Sequence, residues 1–215
     1  MENKSMVKYI IWDWNGTLMD DSAASLRAMN KVLEKYGLER LSNKRYMDIF
    51  TFPVVDYYKL AGFDLSAVRF EELSAAYVEE YSKLVPNCAL TDGALRVLSY
   101  LREKGMEQIL LSASETGALL RQTEALGVRT YFSRIIGADN IHAFGKTQLA
   151  VNFIRENSLR SENGILIGDT LHDYETARSV GCACILYFSG HQSMDRLKKC
   201  GAPVIESLRE IEKLL

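Results

Sequence analysis

Tyr9-Ile10-Ile11-Trp12-Asp13-Trp14-Asn15-Gly16-Thr17-Leu18 is the stretch on which the fold turns. Its apolar start reads as a strand buried on both faces, as in a parallel sheet. The run ends in Asp13, and a glycine and a threonine follow at once. A carboxylate at the C-terminal tip of a buried strand stands where open α/β sheets bind their ligands. Between two tryptophans it would be costly to bury without a cation or hydrogen-bond donors. Asp13 is therefore the first candidate for a nucleophile or a metal ligand.

Outward from this strand the pattern divides at Pro86. Before it, Leu26, Met29, Val32, Leu33 and Tyr36 fall at helical spacing over 22–36, and Gly37 supplies the stop. Further helices are expected over 43–50, 54–60 and 66–84, with no strand between 20 and 86. After Pro86, helices over 92–104, 116–126, 147–156 and 174–180 alternate with buried strands. Those strands are Gln108-Ile109-Leu110-Leu111, Arg134-Ile135-Ile136-Gly137 and Gly164-Ile165-Leu166-Ile167-Gly168. Strands over 184–187 and 203–205 and a terminal helix over 207–215 complete the chain. Such alternation predicts an α/β fold, a doubly wound parallel sheet covered on both faces.

Four polar clusters follow these strands, and parallel strands should bring them to one sheet edge. They are Asp13 with Asn15, Gly16 and Thr17; Ser112; Lys146 at a helix start; and Asp169 with Asp173. The set suits phosphoryl transfer, which needs a nucleophile and neutralisation of the phosphate oxygens. A carboxylate can attack phosphorus, and Mg²⁺ takes oxygen ligands from one or two carboxylates, phosphate and water. Each residue alone has a plainer reading. Ser112 or Ser114 could cap the following helix, and Asp173 could be the N-cap of the helix over 174–180. Lys146 could be a solvated surface charge. It is their shared order and strand-end placement that points to chemistry.

In order and position the clusters resemble the four motifs of the haloacid dehalogenase-like hydrolases, across essentially the whole chain. The first of these is usually written Asp-x-Asp-Gly-Thr. The resemblance implies a Rossmann-like core made of 1–19 and 87–215, with an all-helical cap over 20–86 inserted after the first strand. It implies a Mg²⁺-dependent phosphatase of a small phosphorylated metabolite, similar to the phosphoglycolate phosphatase-like members, working through an aspartyl-phosphate. Asp13, Asn15, Ser112 and Lys146 would then be catalytic. Asp13, Asp169, Asp173 and the backbone carbonyl of Asn15 would hold the metal. Gly16, Thr17, Ser112, Ala113 and Lys146 would bind the substrate, and Lys44, Arg45 and Tyr46 are candidate contacts from the cap. Related chemistries on the same scaffold are phosphonate hydrolysis, phosphomutase action and dehalogenation; the acidic pair Asp169 and Asp173 counts against the last, which needs no metal. A weakly active phospholigand-binding or regulatory protein is the alternative from another class.

Asn15 departs from the motif. In the family's phosphatases the second aspartate protonates the leaving oxygen and then activates water, whereas an amide exchanges no proton at useful pH. Losing a positioned acid–base group costs about 10²–10⁴ in rate. His172, between Asp169 and Asp173, is the nearest histidine in sequence and a candidate proton carrier; an exposed loop residue is its plainer reading. His142 and His191 are less well placed. Aspartate at position 15 is expected to restore the missing group.

Composition is that of an ordinary globular chain, with 47% hydrophobic and 25% charged residues and a formal charge of -2. Neither a nucleic acid nor a membrane is implied as partner, and a monomer or homodimer is expected. The first strand begins too early to leave room for a signal-peptide apolar region, so the expected compartment is cytoplasmic. Cys88, Cys182, Cys184 and Cys200 read as reduced thiols. A zinc set built from Cys182, Cys184, Cys200 and His191 lacks the usual Cys-x₂₋₄-Cys spacing.

Overall fold

The computed structural model describes residues 7–138 and 145–215, so His142 lies outside the described residues. The chain opens with β1 (Tyr9–Trp12), turns back sharply and enters β2 (Met19–Asp20). Four helices follow: α1 (Ser22–Lys35), α2 (Asn43–Ile49), α3 (Val54–Ala61) and α4 (Phe70–Leu84). The return strand β3 (Ala89–Leu90) pairs antiparallel with β2, Met19 opposite Leu90 and Asp20 opposite Ala89. Then come α5 (Ala94–Glu103), β4 (Glu107–Glu115), α6 (Thr116–Ala125), β5 (Arg134–Ala138) and α7 (Lys146–Glu156). The last elements are β6 (Gly164–Gly168), α8 (Leu171–Val180), β7 (Ala183–Tyr187), α9 (Met194–Lys198), β8 (Val204–Ile205) and α10 (Ile211–Leu214).

The main sheet has the order β5-β4-β1-β6-β7-β8, and every pairing in it is parallel. β1 is central because both its faces are apolar. Ile10 and Trp12 pack with Leu98 and Leu101 of α5 and Leu119 of α6, while Tyr9 and Ile11 pack with Ile154 of α7 and Val180 of α8. The expected doubly wound sheet is therefore present. From β1 the chain builds outward through β4 and β5, then crosses back to β6 on the other side. That reversal beside β1 opens a crevice at its C-terminal end, where Asp13 stands.

The four helices between β2 and β3 have a core of their own, built from residues such as Met29, Leu33, Tyr46, Tyr58 and Leu73. The two-residue strands at their base were not expected, because so short a ladder shows no period in sequence. Other boundaries moved for local reasons. The helix expected over 174–180 begins at Leu171, since Thr170 is its N-cap. Asp173 sits in the first turn instead, and its carboxylate accepts hydrogen bonds from the Thr170 amide at 3.0 Å and hydroxyl at 2.7 Å. The helix expected over 66–84 starts at Phe70, and α9 carried too few residues to show a pattern. β4 continues to Glu115 with an irregular register after Leu111, so Ser112 lies at a bulge within the strand.

The two tryptophans around Asp13 are fully buried, and each indole N–H has a glutamine partner. Trp12 donates to Gln108 Oε1 at 3.0 Å and Trp14 to Gln122 Oε1 at 2.7 Å. Gln108 also donates to the Leu98 carbonyl at 2.9 Å, tying α5 to the sheet. Gln108→Leu should keep the volume but strand the Trp12 indole and that carbonyl, a loss of about 2–4 kcal/mol. Urea unfolding measures it; a loss below about 0.5 kcal/mol would show that these bonds do not hold α5 to the sheet.

Candidate active site

Asp13 continues β1 for one more ladder bond, its amide donating to the Ile167 carbonyl at 2.8 Å. This aligns it with Asp169, which follows β6, the neighbouring strand. Thr17 Oγ1 lies 3.2 Å from Asp13 Oδ2 and 3.2 Å from Asp169 Oδ1, so one hydroxyl bridges two carboxylates. Asp169 Oδ2 accepts from Ser189 at 2.8 Å. Lys146, the first residue of α7, places its ammonium between Asp13 Oδ1 and Asp173 Oδ1. Asp13, Asp169 and Asp173 are all buried and offer oxygens within 4.8 Å of one another. Among the described residues this is the one group able to hold a metal ion, and the cysteines form none.

Three carboxylates sharing one ammonium leave an excess of negative charge, and the proton affinities follow. Burial lifts the Asp13 carboxyl to about 6 despite the adjacent lysine, and burial also lifts Asp169 well above the usual carboxylate range. Burial presses upward on Asp173 too, but the Lys146 ammonium and the Thr170 donors hold it below its ordinary value. Burial alone would lower Lys146; Asp13 and Asp173 together raise it, so it stays a cation.

The turn after Asp13 is compact. Trp14 O accepts from the amides of Leu18 and Met19 at 3.0 Å each, and Gly16 takes a positive φ of 75°. A side chain at Gly16 would also overlap the His191 ring and the Asp169 carboxylate, so glycine is required twice over. Asn15 sits half-buried at the mouth of the site. Its Nδ2 donates to Asp21 Oδ2 at 3.0 Å and to the Tyr81 hydroxyl at 2.8 Å. Its Oδ1 accepts from Ser114 Oγ at 2.8 Å, with Ser112 Oγ farther off at 3.5 Å.

Neither serine caps a helix: Ser112 Oγ accepts from the Ser114 amide at 3.1 Å, and α6 begins after Glu115. Ser112 is buried and Ala113 beside it is exposed. Lys44 and Arg45 are exposed on α2, Arg45 reaching the Leu60 carbonyl, whereas Tyr46 turns inward. His172 stacks on Phe52 with ring centroids 4.7 Å apart, and its Nδ1 lies 3.9 Å from Glu175. Burial lowers its proton affinity.

The histidine that the fold brings to the site is His191, not His172. Its Nδ1 is 2.6 Å from the Tyr46 hydroxyl and its Nε2 is 3.3 Å from Asp21 Oδ1. Nε2 donates to the Asp21 carboxylate, while the Tyr46 hydroxyl at Nδ1 can accept from an imidazolium or donate to a neutral ring. The surrounding charges favour the imidazolium. Burial works against that charge, but the bond to Asp21 and the fields of Asp169 and Asp13 raise its pKa to about 9. Asp21, Tyr81 and Ser189 escaped the sequence reading, and His191 was ranked below His172 there, because each reaches the site from outside the four clusters. The neighbouring Asp20 and Asp21 were alike in sequence, and only the fold turns Asp21 inward.

A haloacid dehalogenase-like hydrolase family model matches residues 10–187, and the chain belongs to that family. A phosphoglycolate phosphatase of Rhodobacter capsulatus is 26% identical over 191 residues, covering 87% of each chain. A predicted phosphatase from Clostridium acetobutylicum shares the fold with a TM-score of 0.81 at 22% identity, over 97% of this chain and 98% of that one. A predicted phosphoglycolate phosphatase from Haemophilus somnus does so with a TM-score of 0.78 at 16% identity, over 100% and 99% of the chains. The protein is a phosphatase-type enzyme of this family. Among the described residues no helix is long and apolar enough to cross a membrane.

The imidazolium makes a pH prediction. Its folded pKa of about 9 lies above the ordinary 6.5. The stabilisation is therefore fully present below about 6.5 and fades as pH rises through about 9. His191→Gln should lower Tm most near pH 6, with the gap to wild type closing by about pH 10. Melting curves in EDTA across that range give the answer, and a gap independent of pH would mean that His191 is neutral.

Proposed function

We propose that this enzyme is a Mg²⁺-dependent phosphatase of a small phosphorylated metabolite, with Asp13 as nucleophile. The observation that carries the reading is the buried triad of Asp13, Asp169 and Asp173, with Lys146 lodged between two of its members. The donor set fits Mg²⁺: it is all oxygen, it is hard, and its surplus negative charge calls for a cation. Asp13 and Asp169 would hold the ion together with the Asn15 carbonyl. Asp173 has its oxygens committed to Lys146 and Thr170 and would act through water or by fixing the lysine. Bound Mg²⁺ would neutralise charge on the transferring phosphoryl group.

In this reading Asp13 attacks phosphorus, and the bond to the leaving oxygen breaks with its electron pair going to that oxygen. Water then attacks the phosphorus of the aspartyl-phosphate and the bond from Asp13 to phosphorus breaks, which releases phosphate and restores the carboxylate. The proton lost by the water and the one gained by the leaving oxygen are exchanged with solvent. Lys146 stays protonated beside Asp13 and steadies the added negative charge. Ser112 and the exposed Ala113 would line the face that the phosphate enters, whereas the amides of Gly16 and Thr17 are already donated to Asp21 and to Trp14 within the turn. The helical segment 20–86 serves as a cap on the core formed by 1–19 and 87–215, and Tyr81 of α4 already reaches the site from it. Phosphoglycolate, the substrate in the name of the Rhodobacter capsulatus relative, heads the panel of esters to be tried.

Asp13→Asn should lower kcat by at least about 10³-fold while the urea midpoint stays near wild type or rises, since the change removes a buried charge but little volume. A folded variant keeping a tenth of wild-type turnover would rule Asp13 out as nucleophile.

Chelation should abolish turnover, and Mg²⁺ should restore it and raise Tm in a concentration-dependent way. Indifference of both activity and Tm to EDTA would end the metal assignment.

A further inference from the structure

Asn15 looks like a lost acid only until its neighbours are counted. The Asp21 carboxylate is 2% exposed and stands at the junction of β2 and α1. It does not cap α1 but turns toward the catalytic turn and takes four donors. Its Oδ1 accepts from the Gly16 amide at 2.7 Å and from His191 Nε2 at 3.3 Å. Its Oδ2 accepts from Asn15 Nδ2 at 3.0 Å and from the Tyr81 hydroxyl. Burial works to raise its proton affinity, but the bonds from His191, Tyr81 and Asn15 prevail and hold it ionised.

We infer that Asp21 is a positioning residue that requires an amide at position 15, and that positions 15 and 21 form a pair whose polarity can be reversed as a unit. The inference rests on the phosphatase reading only for its kinetic part. A carboxylate accepts and never donates, so only the Asn15 NH₂ can face it. That fixes the amide, sends its Oδ1 toward Ser114, and holds the turn that carries Asp13. The negative charge expected at position 15 stands at position 21 instead.

Geometry makes the consequence specific. Asn15→Asp alone would set two carboxylate oxygens about 3 Å apart, so that one would bind a proton shared with the other. That proton would be held against Asp21 instead of being offered to a leaving oxygen, so the single change is expected not to restore an acid, unlike the expectation from the motif alone. The exchanged pair Asn15→Asp/Asp21→Asn keeps every contact in the reverse sense. The new amide at position 21 would keep its oxygen on Gly16 and His191. Its NH₂ would donate to the new carboxylate at position 15 and to the Tyr81 oxygen. The Tyr81 proton would turn to that carboxylate, which still accepts from Ser114. Volume and net charge do not change, and the carboxyl now lies where a leaving oxygen can reach it.

The test compares wild type, Asn15→Asp, Asp21→Asn and the exchanged double variant. Tm and urea midpoints are read in EDTA, and kcat and KM are read with Mg²⁺ on phosphate esters of graded leaving-group pKa. Asn15→Asp should lose at least about 5 °C in Tm and turn over every ester more slowly. Asp21→Asn should lose kcat with little change in KM. The double variant should regain most of the lost Tm and surpass wild type by at least about tenfold on the poorest leaving groups. Additive losses in Tm, with the double variant no better than the sum of the single ones, would overturn the pairing whatever the activity. Recovered Tm without a change in leaving-group dependence would overturn the positioning role and leave a structural pair. A wild type inert toward every ester would defeat the phosphatase reading, while the Tm cycle would still decide the pairing.

Discussion

The Lys146 ammonium between Asp13 and Asp173 is the interaction on which the rest of the site depends. Buried charges survive only when paired and hydrogen-bonded, and here a lysine with 3% side-chain exposure meets two carboxylates at once. The pairing needs three elements to meet: the tip of β1, the start of α7 and the first turn of α8. Parallel strands supply that meeting, because they all end on the same edge of the sheet. Asp169, the third carboxylate, has no lysine of its own and relies on Thr17 and Ser189 for donors. Burial and the two neighbouring carboxylates raise its proton affinity, and an arriving cation would take the place of that proton.

Around this cluster the protein spends stability on immobility. The turn from Trp14 to Met19 is closed by backbone bonds, by a glycine with no room for a side chain, and by indoles pinned to glutamines. A carboxylate held this way would lose little freedom when a substrate arrives, which is where positioned groups gain their rate. The helical segment takes part in the same rigidity. Tyr46 of α2 and Tyr81 of α4 bond to His191 and Asp21, so the polar network crosses from the helices to the sheet edge without a break. Displacing those helices from the sheet would disturb the groups that orient Asn15.

Membership of the haloacid dehalogenase-like hydrolases and the asparagine in the first motif are reconciled by that network. The turn has not lost a carboxylate so much as placed it one hydrogen bond farther from Asp13. There it is surrounded by an imidazolium, a tyrosine, an amide and a backbone N–H, all donating. Such a carboxylate is well suited to holding a loop. It is poorly suited to passing a proton, because every lone-pair direction is occupied.

Some of this was settled by the sequence alone, and the reason is periodicity. Runs such as Tyr9-Ile10-Ile11-Trp12 and Gly164-Ile165-Leu166-Ile167-Gly168, alternating with helical patterns, permit little besides a parallel sheet. A parallel sheet then gathers its strand ends, so Asp13, Ser112, Lys146, Asp169 and Asp173 could be grouped without coordinates. Tertiary structure decided everything that depends on which side of an element a residue faces. It chose His191 over His172, because β7 ends beside β6 and its following loop folds back over Gly16, while His172 is drawn to Phe52. It chose Asp21 over Asp20, since the two-residue ladder of β2 and β3 turns one inward and leaves the other exposed. It also set the sense of the Asn15 amide, which a sequence cannot carry, because that sense is dictated by a carboxylate whose own direction exists only in the folded chain.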